Sequence, residues 1–434
     1  MQVFKFGGAS VKNPDGIKNV GNIIKHYGLG KPLMVVVSAI GKTTNQLEKV
    51  VSAKFTNIDL AKGLLDEIRL SHESFIIDLF GNFPVVLEDE LNEHFTEAEW
   101  VIEETREMSY DYVYDQIVSL GELISSRILA NWLIHEGVIV DWLDARSLII
   151  TNDTWREGRV LWTETNERIR TEVLPIITSG KVVLTQGFIG STKENNTVTL
   201  GREGSDYTAA IISAALDAEA MIIWKDVPGV LTADPKVFDN VTKIDRLSYT
   251  EAIEMTYYGA KVIHPKTIQP LENKNIPLFV KSFLKPEAEG TYISADPDPE
   301  YPPIVVVEKS QALIHFSSKD LSFIAEHHLA RLFNLFEKHR IKVNMMRNTA
   351  ISFTICSNHD SVKIKNLLLE LKDEFKVVVD PDLELYTVRH YSDAMLPKLF
   401  EEKIILLEER IKSTVQLVVK YAPAIIHRKS EHSN

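Results

Sequence analysis

Residues 3–10, with the sequence VFKFGGAS, constrain the fold more than any other part of the chain. The short apolar run is typical of a buried strand, and the two adjacent glycines let the backbone turn tightly and approach a ligand. Residues 13–15 (NPD) then have the cap and first-turn residues of a helix. A strand–loop–helix junction of this kind binds anions through its bare N–H groups, and Lys5 adds a positive charge. A Gly-Gly pair alone is more often only a turn, so the interpretation depends on whether other segments repeat the design.

Three later loops repeat this arrangement of a strand followed by small and hydroxyl residues. They are residues 38–45 after an apolar run at 32–38, residues 201–206 before a helix at 208–216, and residues 225–236 after a strand at 221–224. Strands alternate with helices along about 285 residues, which predicts an α/β fold with a mostly parallel sheet sandwiched by helices. In such a sheet the loops gather at the carboxyl edge, where ligands bind.

The chain changes character after a proline-rich, acidic stretch at 295–303, which we interpret as a linker. Strands at 312–316, 342–346, 350–356 and 376–379, with helices at 321–339 and 361–375, give the β-α-β-β-α-β order of an α+β ferredoxin-like unit. A second, shortened copy follows, with strands at 383–388, 404–408 and 414–420 and a helix at 394–400. We therefore predict a first domain at 1–294, a linker at 295–303 and a second region at 304–434, with units at about 311–380 and 381–421.

Composition limits the class of protein. A net charge of −13 over 434 residues argues against a general nucleic-acid binder and against adhesion to anionic membranes. The single cysteine, Cys356, excludes an internal disulfide and a metal site built from cysteines. We expect no segment long and apolar enough to span a bilayer and no signal peptide, because the N-terminus goes straight into a strand. A cytoplasmic enzyme is the expectation.

Several side chains in these loops suit a small zwitterion and a phosphate. An arginine at a glycine-flanked turn, Arg202, suits a carboxylate, and Glu122 suits an ammonium group. Lys5 and Lys261 suit the neutralisation of a transferring phosphate. Taken singly, Arg202 or Glu122 is more often half of a surface ion pair. The common nucleotide motifs GxxxxGK[ST], GxGxxG after a strand, and the protein-kinase HRD and DFG sets are missing from the sequence.

Six motifs together resemble the aspartate kinases of the amino acid kinase superfamily. In chain order they are KFGGAS, SAIGKTTN, LGE, GREGSDYTAA, WKDVPGVLTADP and YGAKVIHP. Their order and separations are similar to those of that family over about 285 residues, and the C-terminal region resembles the paired ACT units that aspartate kinases carry. The resemblance implies the amino acid kinase fold and transfer of the γ-phosphate of ATP to the side-chain carboxylate of L-aspartate. That reaction gives 4-phospho-L-aspartate and begins lysine, threonine, methionine and diaminopimelate synthesis.

The resemblance also implies roles for individual residues. Lys5 and Asp206 are the implied catalytic residues, Asp206 by orienting the cations that bind phosphate. The implied aspartate-binding residues are Ser38, Thr44, Glu122, Arg202 and Ser205. The implied ATP-binding residues are Lys5, Gly7, Gly8, Ala9, Ser10, Lys225, Asp226, Leu231, Lys236 and Lys261. No protein metal ligand is implied, and Mg²⁺ is expected to be held mainly by the ATP phosphates.

Five positions depart from the family pattern. Ala9 stands for a usual Thr, Glu203 for a Gly, Lys225 for a Thr and Leu231 for a Tyr near the adenine, while Asn344 stands where lysine-responsive relatives have an Asp. Glu203 adds a negative charge beside an anionic substrate. The expected effector at the ACT-like region is an amino acid, lysine or threonine, and an insensitive enzyme is the alternative.

Two alternatives accompany this interpretation. One is a related kinase acting on glutamate, acetylglutamate, carbamate or a nucleotide, and the other is a non-catalytic amino-acid sensor.

The sequence also bears on assembly. We expect a homodimer or higher homo-oligomer, because the helix at 321–339 has an apolar face that is either an interface or only intradomain core. That face is formed by Leu329, Leu332, Phe333, Leu335 and Phe336.

Overall fold

The computed structural model describes residues 1–260, 263–296, 300–319 and 322–421. The described chain divides into two compact units. The first comprises Met1–Val230, Lys243–Thr256 and Lys261–Pro299, and the second comprises Leu231–Thr242, Tyr257–Ala260 and Glu300–Asn434. Two short segments of the predicted first domain thus belong to the second unit, where the N–H of Val305 donates to the carbonyl of Thr232 at 2.8 Å. The domain boundaries at 294 and 304 stay a prediction.

The helices and strands of the first unit alternate along the chain. The helices are α1 Pro14–Ile23, α2 Thr43–Lys54, α3 Ile58–Phe80, α4 Val85–Glu103, α5 Tyr110–Val118, α6 Leu120–His135, α7 Ala145–Leu148, α8 Trp162–Thr178, α9 Gly204–Ala215, α10 Tyr249–Tyr257 and α11 Pro265–Glu272. The strands are β1 Gln2–Phe6, β2 Leu33–Val37, β3 Val140–Leu143, β4 Val182–Gln186, β5 Ile189–Ser191, β6 Thr197–Thr199, β7 Ala220–Lys225, β8 Arg246–Ser248, β9 Leu278–Ser282 and β10 Thr291–Ser294. A π-helical turn, Ile24–Gly28, extends α1.

Within the described residues of this unit, eight strands form one sheet in the order β3-β4-β2-β1-β7-β9-β10-β8. Neighbouring strands are parallel except for β10 against β9. The central strands β1, β2 and β7 are buried on both faces, as their continuous apolar sequences require in a parallel sheet. Helices α1 and α6 cover one face and α8 and α9 the other. The predicted α/β class is confirmed.

Two short strands near one edge of the sheet were not predicted from the sequence. Strands β8 and β10 are only three and four residues long, too short for a hydrophobic period to indicate them. Strands β5 and β6 form a hairpin, and its turn residue Asn195 has a positive φ of 64°. Asparagine adopts such angles more readily than most residues.

The expectation that no segment is long and apolar enough to span a bilayer is wrong by that criterion. The helical stretch Tyr110–His135 is 26 residues long with a mean hydropathy of 1.3 in its most apolar window, and 83% of that window is buried. Its apolar residues pack against other helices and the sheet, so the stretch is a core element of the first unit.

The second unit contains β11 Ile304–Ser318, α12 Glu326–Lys338, β12 Val343–Asn348, β13 Ser352–Asn358, α13 Ser361–Leu371, β14 Phe375–Arg389, α14 Leu396–Leu399, β15 Lys403–Ile411 and β16 Thr414–Tyr421. In its described part, six strands form an antiparallel sheet in the order β12-β13-β11-β14-β16-β15. The β-α-β-β-α-β order of the first ACT-like unit is confirmed. In the shortened second ACT-like unit, the helix between β14 and β15 is the single turn α14.

Two details of the second unit differ from the sequence analysis. The predicted strands 376–379 and 383–388 are one strand, β14, because it pairs along nearly all its length with β11. The apolar face of α12 is mostly intradomain core: Leu332, Leu335 and Phe336 are buried, and Phe333 is the member that is clearly exposed. That face therefore gives little support to an interface.

We predict that Phe316→Ala destabilises the second unit by about 3–5 kcal/mol, because the ring is fully buried and its removal leaves a cavity. Phe316 contacts the rings of Phe336, Phe353 and Phe375 at centroid distances of 5.7, 6.3 and 6.4 Å. Calorimetric unfolding measures the change. The control Leu369→Ala, at a side chain 58% exposed, should change stability by less than about 0.5 kcal/mol. Equal effects of the two changes would contradict this packing.

Candidate active site

The site begins where three parallel strands end side by side. Phe6 of β1 pairs with Val37 of β2 and with Trp224 of β7, so the loops that follow these strands leave the same edge of the sheet. The predicted loops at 7–10 and 38–45, and Lys225 at the end of β7, are therefore neighbours. This is the carboxyl edge at which ligands bind in α/β sheets.

A buried cluster of charges lies at this edge. The ammonium of Lys5 is 2.5 Å from Oδ1 of Asp206, at the start of α9, and the ammonium of Lys225 is 3.6 Å from Oδ2 of the same carboxylate. Burial by itself raises the pKa of Asp206, but the two ammonium groups outweigh it and the pKa is lowered below its usual value. Asp206 is therefore ionised at neutral pH and holds two cations at the strand ends.

The glycine pair after β1 leaves room that a side chain would fill. A Cβ on Gly8 would lie 2.7 Å from the carbonyl oxygen of Ala39 and 3.2 Å from that of Gly41, and a Cβ on Gly7 would lie 3.4 Å from Nζ of Lys5. The two strand-end loops are also joined by a hydrogen bond of 3.2 Å from the N–H of Gly41 to the carbonyl of Gly8. Glycine is required here because the backbones of the two loops approach each other closely.

Ala9 and Ser10 occupy different environments in the first loop. Ala9 is exposed, whereas Ser10 is 1% exposed and donates its hydroxyl proton to the carbonyl of Trp224 at 3.4 Å. The Ser10 hydroxyl thus ties the loop after β1 to the end of β7. Its predicted role in ATP binding stays a prediction.

The second loop presents its residues at the start of α2. Ser38 and Thr44 are both half-buried, and the carbonyl of Ser38 accepts a hydrogen bond of 2.7 Å from the hydroxyl of Ser125 on α6. The neighbouring Thr43 is buried and donates to the carbonyl of Ile40 at 2.8 Å, which closes the first turn of the helix.

Glu122, near the start of α6, is a buried acid without a full set of partners. It is 4% exposed, and its Oε2 accepts no hydrogen bond from any described residue. Burial raises the pKa of Glu122 to about 8, against the opposing effects of the Lys5 ammonium and of a hydrogen bond from the N–H of Ala39. An added cation beside this buried acid would stabilise its ionised form.

The loop before α9 carries Arg202, Glu203 and Ser205. Arg202 is exposed and Ser205 is buried. Glu203, the helix N-cap, has a φ of 55°, and its Oε2 is buried without a hydrogen bond from the described residues. Glycine takes this backbone angle without strain, so the glutamate is held there at a cost.

The sequence analysis missed the residue that braces Ser205. A Cβ on Gly187, directly after β4, would lie 2.4 Å from Cβ of Ser205, so the chain at the end of β4 packs against the first turn of α9. The next residue, Phe188, donates its N–H to Oγ1 of Thr208 at 3.0 Å. A glycine at the end of a buried strand was the available signal, and it repeats the design of Gly7.

The other residues predicted to bind the nucleotide are not among the described contacts of the Lys5–Asp206–Lys225 cluster. Asp226 is exposed beside Lys225. Leu231 and Lys236 belong to the second unit, and Lys261 lies outside the described residues. Their role in binding ATP stays a prediction.

The acidic and other potential metal-binding side chains do not cluster around a single point in the described residues. Among the residues that the structure describes, no group of three or more His, Cys, Asp or Glu side chains is placed to hold a metal ion. The carboxylate of Asp206 is already paired with two lysines. These residues fit a cation held mainly by phosphate oxygens, as Mg²⁺ commonly is, rather than one held in a protein cage.

Comparison with known proteins agrees with this geometry. The sequence model of the amino acid kinase family matches residues 1–282. The chain is also 32% identical over 401 residues to lysine-sensitive aspartokinase 3 of Escherichia coli (strain K12), which covers 88% of this chain and 85% of the relative. The chain belongs to the aspartokinases of the amino acid kinase family. It is thus an ATP-dependent phosphotransferase, and its expected fold class is confirmed.

Two crystal structures of E. coli aspartokinase III resemble this aspartokinase family member along nearly its whole length. One is a complex with lysine and aspartate in the T-state, with a TM-score of 0.80 and 28% identity, covering 97% of this chain and 96% of that one. The other is a complex with aspartate and ADP in the R-state, with a TM-score of 0.80 and 27% identity, covering 96% of each chain.

We predict that Gly8→Ala lowers kcat/KM for ATP at least about tenfold, because the new Cβ would displace the second loop by contact with Ala39. Steady-state kinetics with varied ATP measures this. The matched control is Gly63→Ala in α3, where nothing lies within 4 Å of the new Cβ. The control should keep full activity, and a fully active Gly8→Ala variant would show that the loops have room to spare.

Proposed function

We propose that the chain transfers the γ-phosphoryl group of ATP to the side-chain carboxylate of L-aspartate, giving 4-phospho-L-aspartate and ADP. The observation that carries the proposal is the Lys5–Asp206–Lys225 cluster at the strand ends, with the unsatisfied Glu122 on a neighbouring helix. The cluster suits an anion that moves, and Glu122 suits the ammonium group of an amino acid. The reaction is the first step towards lysine, threonine, methionine and diaminopimelate.

The transferring phosphoryl group would lie against Lys5 and the N–H groups of Gly7 and Gly8. Asp206 keeps the two lysines in place, and Lys5 stabilises negative charge as the bond to the leaving ADP breaks. Because Asp206 forms ion pairs with Lys5 and Lys225, we assign it the role of orienting these cations.

The aspartate acceptor would be held at both of its ends. Glu122 would accept hydrogen bonds from the ammonium group and Arg202 would bind the α-carboxylate, with Ser38, Thr44 and Ser205 as neutral partners. The side-chain carboxylate is ionised at neutral pH, so it attacks phosphorus without a general base. An oxygen–phosphorus bond forms, the bond to the bridging oxygen of ADP breaks, and ADP leaves with the electron pair.

Bringing the two anions together is the main electrostatic cost. Each pair of unit charges at ~4 Å repels by about 4 kcal/mol at an effective dielectric constant near 20. Lys5, Lys225 and the glycine N–H groups offset this repulsion. Mg²⁺, bound mainly through the ATP phosphates, would neutralise further phosphate charge. For the rest of the nucleotide we propose Lys225, Asp226, Leu231, Lys236 and Lys261.

An acceptor panel separates this function from its nearest alternatives. Purified protein with Mg-ATP is given aspartate, glutamate, acetylglutamate, carbamate or UMP in turn, and ADP release is measured by a coupled assay. Aspartate should give the highest kcat/KM. Turnover with another acceptor but not with aspartate would overturn the proposal, as would no turnover with any of them.

Regulation and assembly are proposals of the same kind. The structural relative binds lysine, and we propose an amino-acid effector, lysine or threonine, at the ACT-like unit of this chain. Here Asn344 donates to Oε1 of Gln311 at 2.8 Å and to Oδ1 of Asn358 at 2.9 Å, so its amide nitrogen is already engaged. A homodimer or higher homo-oligomer and a cytoplasmic location also remain our proposals. A thermal-shift screen with amino acids tests the effector, and light scattering tests the oligomeric state.

We predict that Lys5→Met lowers kcat about 10²- to 10³-fold, because it removes a positioned charge from the phosphoryl path. The rate of aspartate-dependent ADP release measures the loss, and circular dichroism checks the fold. Lys31→Met is the control, because the Lys31 ammonium pairs only at the surface, with Glu219 at 3.4 Å. A Lys5→Met variant with more than a third of the wild-type kcat would contradict the assignment.

We predict that KM for aspartate falls as pH rises from 6 to 8 and then levels off. The pKa of Glu122 is about 8 in the free protein because of burial, so the unliganded site is protonated at neutral pH and must ionise to bind an ammonium group. Below that pKa the ionised fraction, and hence the affinity, changes about tenfold per pH unit. Glu122→Gln should raise KM about ten- to a hundredfold and remove this slope.

The control for this prediction is Glu136→Gln, at the exposed end of the same helix, which should keep the wild-type profile. A Glu122→Gln variant that keeps the slope would show that another group titrates.

A further inference from the structure

Asp115, on α5, is fully buried, and hydrogen bonds join it to two other segments of the first unit. One oxygen, Oδ2, accepts the N–H of Arg156 at 2.8 Å, and the other, Oδ1, accepts the hydroxyl of Thr199 at 2.7 Å. The N–H of Thr199 also donates to this carboxylate. The side chain therefore connects helix α5, the loop at 152–158 and strand β6.

The loop at 152–158 holds the same strand from another side. The N–H of Gly158 donates to the carbonyl of Thr199 at 2.9 Å, and a Cβ on Gly158 would lie 2.6 Å from Val198. Gly201, with a φ of 81°, packs against the carbonyl of Arg156, which would be 3.2 Å from an added Cβ. The backbone that leads into Arg202 is thus fixed by the groups that Asp115 holds.

The helix that carries Asp115 also leads directly to Glu122. Helix α5 ends at Val118 and α6 begins at Leu120, and the residue between them, Ser119, keeps helical angles of φ −57° and ψ −27°. Helical geometry therefore continues from Asp115 to Glu122, seven residues later, and a movement of α5 is passed to the start of α6.

We propose that Asp115 is a positioning residue that fixes the separation between Arg202 and Glu122, and with it the fit of the zwitterionic acceptor. The inference rests on the proposed function, in which these two residues hold the α-carboxylate and the ammonium group. Asp115 does not touch the substrate in this scheme. It acts through Thr199, the strand β6 and its own helix.

The hydrogen bonds to Asp115 favour its ionised form. Each of the contacts described above comes from a donor, so a proton on either oxygen would face an N–H or O–H group. Burial nevertheless raises the pKa of Asp115 to about 6, against the opposing effects of these hydrogen bonds and of the Arg156 charge. Protonation near pH 6 should loosen the connection.

The charged and titratable groups around Asp115 come from the same elements. On the loop, the guanidinium of Arg156 lies over the ring of Tyr114 and pairs with Asp111 at 3.1 Å. On α5, the hydroxyl of Tyr114 donates to Glu48 of α2 at 2.8 Å. Burial raises the pKa of Tyr114 above its usual value and raises that of Asp115 to about 6.

The test is Asp115→Asn, which keeps the shape but places an NH₂ group against a donor. Aspartate kinetics are measured from pH 5 to 8 at saturating Mg-ATP. KM for aspartate should rise about five- to tenfold at pH 7.5, while kcat and KM for ATP stay within about threefold. Below pH 6, KM for aspartate in the wild type should rise more steeply than the ionisation of Glu122 alone predicts. This additional rise should be missing in the variant.

Two matched variants test the path through the strand. Thr199→Ser keeps the hydroxyl and should behave as the wild type, whereas Thr199→Val removes the donor and should raise KM for aspartate. Asp111→Asn, which removes the partly exposed partner of Arg156, should leave the acid limb unchanged. If Asp115→Asn does not fold, the Thr199 pair still decides the proposal.

Trp155 gives a measurement that does not depend on activity. Its ring lies against Tyr112 of α5, with centroids 5.0 Å apart, so its fluorescence reports on the contact between the loop and the helix. The fluorescence of Trp155 is obtained by subtracting the spectrum of Trp155→Phe from that of the wild type, and it should show a transition near pH 6. The same difference measured in the Asp115→Asn background should show no such transition.

Three outcomes would overturn the proposal. The first is a wild-type profile of KM against pH in Asp115→Asn. The second is a fall in kcat together with a parallel rise in KM for both aspartate and ATP in that variant. The third is an equal effect of Thr199→Ser and Thr199→Val on KM for aspartate. Failure of the proposed function is distinguishable, because the wild type would then show no aspartate-dependent ADP release while the Trp155 transition would remain.

Discussion

The candidate active site depends on one buried ion pair, between Lys5 and Asp206. Lys5 comes from the central strand β1 and Asp206 from the first turn of α9, while Lys225 reaches the same carboxylate from β7. Removing charges from water is costly unless each has a partner, so the three side chains hold one another at the strand ends. The positive charge available to a phosphate is therefore fixed by the sheet itself.

The same edge of the sheet holds a second acid in the opposite state. Two lysines lower the pKa of Asp206, whereas burial raises that of Glu122 to about 8. Two acids whose pKa values are shifted in opposite directions can serve different purposes in one site. In the proposed function, Asp206 organises cations, and Glu122, whose Oε2 accepts no hydrogen bond from the described residues, binds the ammonium group. Under that proposal, this contrast would let one small site bind a phosphate donor and an ammonium-bearing acceptor side by side.

The elements that carry Glu122 and Arg202 are far apart in sequence, and Asp115 connects them. Its contacts with Arg156 and Thr199 join α5 to the strand that precedes Arg202. A buried carboxylate surrounded by donors is well satisfied only when ionised. The geometry of an acceptor site can thus depend on the ionisation of a group that never touches the acceptor.

The class of fold could be predicted from the sequence, because continuous apolar strands alternate with helices as in a parallel sheet, and the order of the six motifs indicated the kinase family. The sequence also placed Lys5 and Asp206 in loops expected at the carboxyl edge of the sheet. It did not reveal Gly187 or Asp115, because a glycine after a strand and an acid in a helix have no distinctive local pattern. Three features could be seen only in the folded chain, because burial and long-range partners set them: the hydrogen bond from Ser10 to the carbonyl of Trp224, the mostly buried face of α12, and the opposite pKa shifts of Asp206 and Glu122.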